Sequence, residues 1–500
     1  MAAASPIVCV PFTLGVLLLL LSTTIWSAAP VQRGSTSAPP FVEDGAVPPI
    51  RAATAAAAAA ELAPAALRAA AAAYMPDVFD PAEPDAPPAA FLPEEEWRNP
   101  CWRRASDGAL RCLPLVHVLG GYQCGSSDLF ARLSRHDDFA RPSHAAPSFY
   151  FEQNHKWPAY VRTFERAAAK IAARPRAAVS GEGSAGMLTL TWTHSERLHQ
   201  PYITTMGARW QLCNANRTRD ADADARFNAC MAAHIPAAHA ADAALVARAG
   251  AALEVPYLLR AVQGTRVRLI ALLRNPTDRL YAAFWHYPHY RKKFGGSEAG
   301  FAAYHAEMAA HAAACAEVHG VDACALRFES LERRFERVFY HCDQHYKGLY
   351  APFVRVWARA YAPEWRSLAL VLTSEGYAAR TRQTLERVFA FVGLRVPADE
   401  GWWARALGAA RTTNGVRREW ASIPPMRAET RAAVDGFYAP HNADLAALLG
   451  DDAFRWDPSA DGRSESIRHE EPPSPPPQRA RARRRLALRV RPRRRNGQRL

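Results

Sequence analysis

The sequence predicts an α/β domain of three layers, with a central parallel sheet between helices. Three observations carry that prediction. Leu269-Ile-Ala-Leu-Leu273 is an unbroken apolar run between Arg268 and Arg274, the composition of a strand buried on both faces of a parallel sheet. Leu113-Pro-Leu-Val-His-Val-Leu119 has the same character and leads into a glycine-bearing loop. Late in the chain, the run Leu368–Leu372 precedes a segment with Leu385, Val388, Phe389 and Val392 at i, i+3, i+4 and i+7. That spacing is the buried stripe of a helix, which Gly393 would end. With 500 residues, 49% of them hydrophobic, the chain can bury one large core,.

Residues 1–29 contain an apolar run from Ile7 to Leu21, extendable through Trp26; about twenty such residues make a marginal membrane span. Ser27-Ala-Ala29 also suits signal peptidase, and no Lys or Arg precedes the run. A signal anchor and a cleaved signal peptide are both open, and either sends the domain into the secretory lumen. Residues 30–95 are dominated by Ala and Pro without alternation of apolar and polar positions, which reads as a stem unable to build a core. The folded domain is expected over 96–460.

The strand at 113–119 is followed by Gly120-Gly-Tyr-Gln-Cys-Gly-Ser-Ser127 and then an expected helix from Asp128 to Ser134. Glycines permit close backbone approach, and free N–H groups at a helix start favour an anion. No Gly-Lys-Ser/Thr is present, so the loop is not that of a nucleotide triphosphatase. The strand at 269–273 stops at Arg274-Asn275-Pro276, and Thr277 is placed to cap a helix running to about His286,. Arg274 therefore stands at the carboxyl edge of the sheet, where open α/β folds bind ligands. A guanidinium there suits a phosphate, while the plainer alternative is an ion pair with a carboxylate. Arg279, one helical turn on, is either a second ligand or a solvated side chain.

Eight of the nine cysteines follow the apolar run. With Cys124 in the loop, their spacing permits the local pairs Cys101–Cys112, Cys213–Cys230 and Cys315–Cys324 without requiring them. Asn216-Arg-Thr218 is a glycosylation sequon in a polar insert,. His341-Cys-Asp-Gln-His345 has the residue types of a zinc site but no second cluster to complete the ligands, so no metal is expected,. Residues 461–500 form a Pro- and Arg-rich tail. Its last 22 positions hold eleven arginines and no acid, and subtracting those from the net charge of +14 leaves +3 for the rest. A disordered, solvated arm is one reading of the tail, and contact with an anionic polysaccharide or lipid surface the other. Nucleic-acid binding is not expected, since the tail has no aromatic residues to stack on bases.

The two strand-end segments resemble the donor-binding motifs of sulfotransferases that use 3′-phosphoadenosine 5′-phosphosulfate (PAPS). Leu119-Gly-Gly-Tyr-Gln-Cys-Gly-Ser-Ser-Asp-Leu129 is similar to the 5′-phosphosulfate loop, commonly Gly-x-x-Lys-Cys-Gly-Thr-Thr-Asp-Leu in the carbohydrate branch. Leu273-Arg-Asn-Pro-Thr-Asp-Arg-Leu-Tyr281 is similar to the 3′-phosphate motif. Gly181-Glu-Gly-Ser184, Pro256-Tyr-Leu-Leu259, Leu368–Tyr377, Phe437–Asn442 and Leu448–Asp451 follow in family order. The nearest branch resembles chondroitin N-acetylgalactosamine 4-sulfate 6-O-sulfotransferases. The resemblance covers roughly residues 112–457. It implies a P-loop-like sulfotransferase fold, PAPS as co-substrate without a metal, a glycan acceptor, and a type II Golgi membrane protein with a lumenal domain, or else a secreted one. It assigns donor binding to Gly121, Gln123, Cys124, Gly125, Ser126, Ser127, Asp128 and Arg274.

Three positions depart from the family pattern. The loop lysine, which stabilises the leaving group, is replaced by Gln123, whose amide donates a hydrogen bond but carries no charge. The serine expected eight residues after Arg274 is Ala282. The Lys-Glu-Pro-His-Phe segment that often supplies the base aligns with Ala145-Ala-Pro-Ser-Phe149. Gln123 and His144 are the catalytic candidates, with Glu152 and His155 as alternative bases. The sequence thus predicts a carbohydrate sulfotransferase, or alternatively an impaired lumenal pseudoenzyme that binds nucleotide or glycan. A P-loop kinase fits less well, lacking the lysine after the second glycine.

Overall fold

The computed structural model describes residues 62–143, 150–151, 156–184, 186–189, 200–215, 222–331, 339–408 and 423–457. A short antiparallel pair comes first, β1 (Cys101–Arg103) against β2 (Leu110–Cys112). Cys101 and Cys112 face each other in that register and are joined by a disulfide. The central sheet contains β3 (Val116–Val118), β4 (Phe139–Ala140), β5 (Val179–Glu182), β6 (Arg268–Leu273) and β7 (Ala369–Thr373). All neighbours pair in parallel, in the order β4-β5-β3-β6-β7. The α/β class with a central parallel sheet is therefore what the chain adopts.

Alternation along β6 explains why its sequence is apolar throughout. Leu269, Ala271 and Leu273 join a cluster with Tyr257, Leu258 and Trp357 from the helices Val255–Gln263 and Tyr350–Ala360. Ile270 and Leu272 point the other way, into a cluster with Leu129, Leu133, Leu385, Val388 and Phe389. Successive side chains of a strand alternate between faces, so a sheet covered on both sides needs apolar residues at every position. The late helix runs from Thr381 to Phe391 and buries Leu385, Val388 and Phe389, with Val392 buried at its C-cap.

Several expected boundaries shift. Regular β3 pairing is shorter than 113–119, although Leu115 N donates to Ser180 O at 3.0 Å and Leu119 N to Ile270 O at 2.8 Å. The helix after the glycine loop begins at Ser126 and ends at Leu133. The cap of the helix Pro276–His286 is Asn275 rather than Thr277, its side chain accepting from Thr277 N at 2.9 Å. Asn is as good a cap as Thr, and the proline after it occupies the first helical position, where no donor is needed.

The stem reading is corrected at its C-terminal end. The helices Pro64–Tyr74 and Pro76–Phe79 bury Leu67, Ala70, Ala71, Tyr74, Met75 and Val78 in the main core. Tyr74 OH donates to Ala251 O at 3.0 Å, and Trp157 Nε1 to Asp85 O at 2.8 Å. Alanine favours helix and lets a helix approach its neighbours closely. A few large residues, Leu67 and Tyr74 among them, then suffice to dock the face. The folded domain thus starts well before residue 96.

The disulfides Cys213–Cys230 and Cys315–Cys324 also form. Ala225–Ala249 has the length and composition of a membrane-crossing helix, but Cys230 is tied to Cys213 and Leu245 packs in the main core. The N-terminal apolar run, the sequon and the arginine-rich tail lie outside the described residues. The chain divides into compact units at Met1–Trp456 and Asp457–Leu500, the second described only at Asp457.

A third cluster fills the space among the helices Pro276–His286, Glu298–His319, Phe339–Tyr346 and Ala428–Leu449. Inside it, His305 Nδ1 lies 3.0 Å from His345 Nε2. Burial holds both imidazoles below the usual histidine range, with Arg279 adding to the effect on His345. Burial also pushes His289 down to about 4. Each depressed histidine contributes stability that is fully present above its unfolded value of about 6.5 and lost as pH falls through the folded value. The urea midpoint is therefore expected to drop between pH 7 and pH 5. An unchanged midpoint would contradict neutral burial of this group.

Candidate functional site

The site is built on the adjacency of β3 and β6. Their parallel pairing continues past the strand ends, with Gly121 N donating to Leu272 O at 3.3 Å. The loop after β3 and the residue after β6 consequently leave the sheet at the same edge. Between them the loop turns tightly, Cys124 N donating to Gly121 O at 3.2 Å. Gly120, Gln123 and Gly125 have φ of 52°, 64° and 85°. Two of these are glycines, for which the left-handed region is free, whereas for Gln123 it costs roughly 1–2 kcal/mol. Strain of this kind persists only where the surroundings hold it.

Four contacts hold it. Arg274 Nη1 donates to Gln123 O at 3.4 Å. Ser374 Oγ donates to Cys124 O at 2.7 Å from the start of the helix Ser374–Ala379 after β7. Tyr350 OH donates to Arg274 O at 2.8 Å and lies 3.6 Å from Cys124 Sγ. Cys124 itself points inward, and burial pushes its thiol up, keeping it protonated. It packs the loop from beneath and has the character of a filler, not of a nucleophile.

The helix Ser126–Leu133 starts without a side-chain cap, on Gly125 in the left-handed conformation. Asp128 N donates to Gly125 O at 3.1 Å, so in the first turn the amides of buried Ser126 and exposed Ser127 are those left for a ligand or water. Amides at a helix start, two hydroxyls and a half-buried guanidinium form a donor set for an oxyanion. A phosphate or sulfate group fits that donor set. Asp128 is engaged otherwise: its Oδ2 accepts from Arg132 Nε at 2.7 Å and from Tyr377 OH at 2.6 Å, fixing the helix to the segment after β7.

The structure thus brings Gly121 to Asp128 and Arg274 together. Arg279 is not part of this edge. It is fully buried, with Nη1 donating to Gln344 Oε1 at 2.9 Å and Nη2 to Gln344 O, so neither the ligand nor the solvated reading applies. Glu375 is structural, accepting from Asn275 N at 2.9 Å and Trp456 Nε1 at 3.0 Å. Ala282 is buried in the helix Pro276–His286. His144, the segment 145–149, Glu152 and His155 lie outside the described residues. An apolar cavity of about 210 Å³ among Ala309, Ala312, Val321 and Phe437 is lined by none of the loop residues. Sequence reasoning missed Tyr350, which sits at the start of a helix with no motif around it, and Lys347, whose ammonium lies 4.4 Å over the Tyr122 ring.

No family model matches the chain. It is similar to the human carbohydrate sulfotransferase 15, with 25% identity over 353 residues, and to the rat protein of that name, with 24% identity over 366 residues. The chain is thus similar to carbohydrate sulfotransferases over that stretch. Each alignment takes in 69% of this chain and 55% of the relative, so the chain spans about half the length of the curated proteins it matches. A solved sulfotransferase from Alicyclobacillus acidocaldarius aligns with 69% of this chain and 99% of its own, at 18% identity and a TM-score of 0.35.

Tyr350→Phe should test the loop's support. The substitution leaves the Arg274 carbonyl without its hydroxyl donor, a loss of about 1–2 kcal/mol in urea unfolding. No change in stability would show that this hydrogen bond does not brace the edge.

Proposed function

We propose that the chain transfers a sulfuryl group from PAPS to a hydroxyl of a glycan, as a proteoglycan-type carbohydrate sulfotransferase in the Golgi lumen. The observation that carries this reading is the contact between Arg274 and the Gln123 carbonyl, which puts two anion-seeking elements on one sheet edge. A donor with phosphate groups at both its 3′ and 5′ positions needs two such elements at a fixed separation. The similarity to carbohydrate sulfotransferases supports a sulfuryl group as the group transferred and a sugar as acceptor.

In this reading the first-turn amides, Ser126 and Ser127 hold the 5′-phosphosulfate, and Arg274 holds the 3′-phosphate. The Gln123 amide donates to the sulfuryl end. His144 accepts the acceptor's proton, Glu152 and His155 being the alternatives. The acceptor oxygen bonds to sulfur as the bond from sulfur to the 5′-phosphate oxygen breaks, that electron pair leaving with adenosine 3′,5′-bisphosphate. Such a loose in-line displacement asks the protein mainly to position reactants and offset charge. No step requires a metal. The arginine-rich tail would add attraction to an anionic polysaccharide.

Gln123 and Ala282 favour a second reading, a pseudoenzyme that binds nucleotide or glycan without turnover. The purified protein incubated with radiolabelled PAPS and a panel of glycans separates the two. Labelled glycan supports the enzyme, and binding of adenosine 3′,5′-bisphosphate without product supports the pseudoenzyme. Failure of both would remove the donor assignment. Arg274→Ala should weaken adenosine 3′,5′-bisphosphate binding by about 1.5–3 kcal/mol, the worth of a hydrogen bond to a charged group. Unchanged affinity in calorimetry would remove Arg274 from the site.

A further inference from the structure

We propose that Lys347 supplies the positive charge at the sulfuryl end of the donor. The inference rests on the sulfotransferase reading and concerns how the chain carries it out. The loop from Gly120 to Ser127 contains no cationic side chain. Breaking the bond from sulfur to the 5′-phosphate oxygen leaves an added negative charge on that oxygen, and a preorganised cation is the strongest way to offset it.

Lys347 is held against this loop. Its ammonium lies 4.4 Å from the centroid of the Tyr122 ring, next in sequence to Gln123. The residue is only 7% exposed, unusual for a lysine, which seldom gives up its hydration without a partner. Its backbone is pinned in the turn after the helix Phe339–Tyr346: Lys347 N donates to Asp343 O at 3.0 Å. A Cβ on the next residue, Gly348, would lie 2.7 Å from the Tyr438 ring, so the turn cannot back away from its packing.

The partner carboxylate does not neutralise the group as a whole. Asp343 receives Lys347 Nζ at 2.8 Å and 2.9 Å on its two oxygens and also Gln344 Nε2 at 2.9 Å. Gln344 Oε1 in turn accepts from buried Arg279. Arg279 thus reaches the same carboxylate only through the Gln344 amide, and the one carboxylate of this chain of contacts stands between two cations. The aromatic face of Tyr122 is a weak resting place for an ammonium, worth about 0.5–2 kcal/mol. The side chain, pivoting on Asp343, can exchange that face for the oxygens of the donor.

The test uses the full-length protein, with two readouts: sulfate transfer to glycan, and slow cleavage of PAPS by water, which needs no acceptor. Lys347→Met is expected to lower both rates by about 10²–10³-fold. Lys347→Met combined with Asp343→Asn keeps the buried pair uncharged and should show the same loss with the fold intact by circular dichroism. Adding Gln123→Lys to that double variant should recover at least about tenfold, because it restores a cation from the loop side. A merely structural lysine would not respond to a charge placed on another element. Rates within about threefold of the parent in the Met variants, or a loss that Gln123→Lys leaves unrepaired, would overturn the role of Lys347 while leaving the sulfotransferase reading in place. Binding of adenosine 3′,5′-bisphosphate by the parent with no PAPS cleavage by any variant would overturn both.

Discussion

The parallel pairing of β3 with β6 is the constraint on which the rest depends. Parallel strands end at the same side of a sheet, so the segments leaving them are delivered to a common edge. The hydrogen bonds from Leu119 N to Ile270 O and from Gly121 N to Leu272 O carry the pairing into the loop itself. Without them the Gly120–Gly125 turn and Arg274 would be two unrelated surface features.

Around that pairing the fold directs its polar interactions to the loop's underside. Tyr350, Ser374 and Arg274 each donate to a backbone carbonyl within or beside the loop. The loop carbonyls are thus held from below, while the Ser126 and Ser127 amides start the helix above them without a side-chain cap. The arrangement also accounts for Gln123 in the left-handed region, since its neighbours on both sides are tied down and Arg274 holds its carbonyl. Lys347, paired with Asp343, lies over the Tyr122 ring of the same loop.

Much of this was legible in the residues. The five apolar positions of 269–273 announced a doubly covered strand, and the glycines before Ser126 announced a turn into a helix. The cysteine spacing permitted the three pairs that form. Errors arose where a short-range pattern had two outcomes. An alanine-rich segment with few large residues is a poor core former by composition, yet Leu67 and Tyr74 dock it through contacts with residues near 250 that no local reading contains. Asn275 and Thr277 are both good caps, and the choice between them depends on where Pro276 falls. Arg279 looked like a ligand or a solvated side chain, because nothing local signals that Gln344 will enclose it.

By itself the sequence determined the strand–loop–helix units, the polar donors at their ends and the absence of a lysine in the loop, because periodicity, glycine placement and residue type are local properties. Only the tertiary structure decided which strands are neighbours, that Arg274 reaches the loop carbonyl, and that a lysine distant in sequence stands over Tyr122. Those are outcomes of packing between segments far apart in the sequence, and burial selects them through contacts that no single segment encodes.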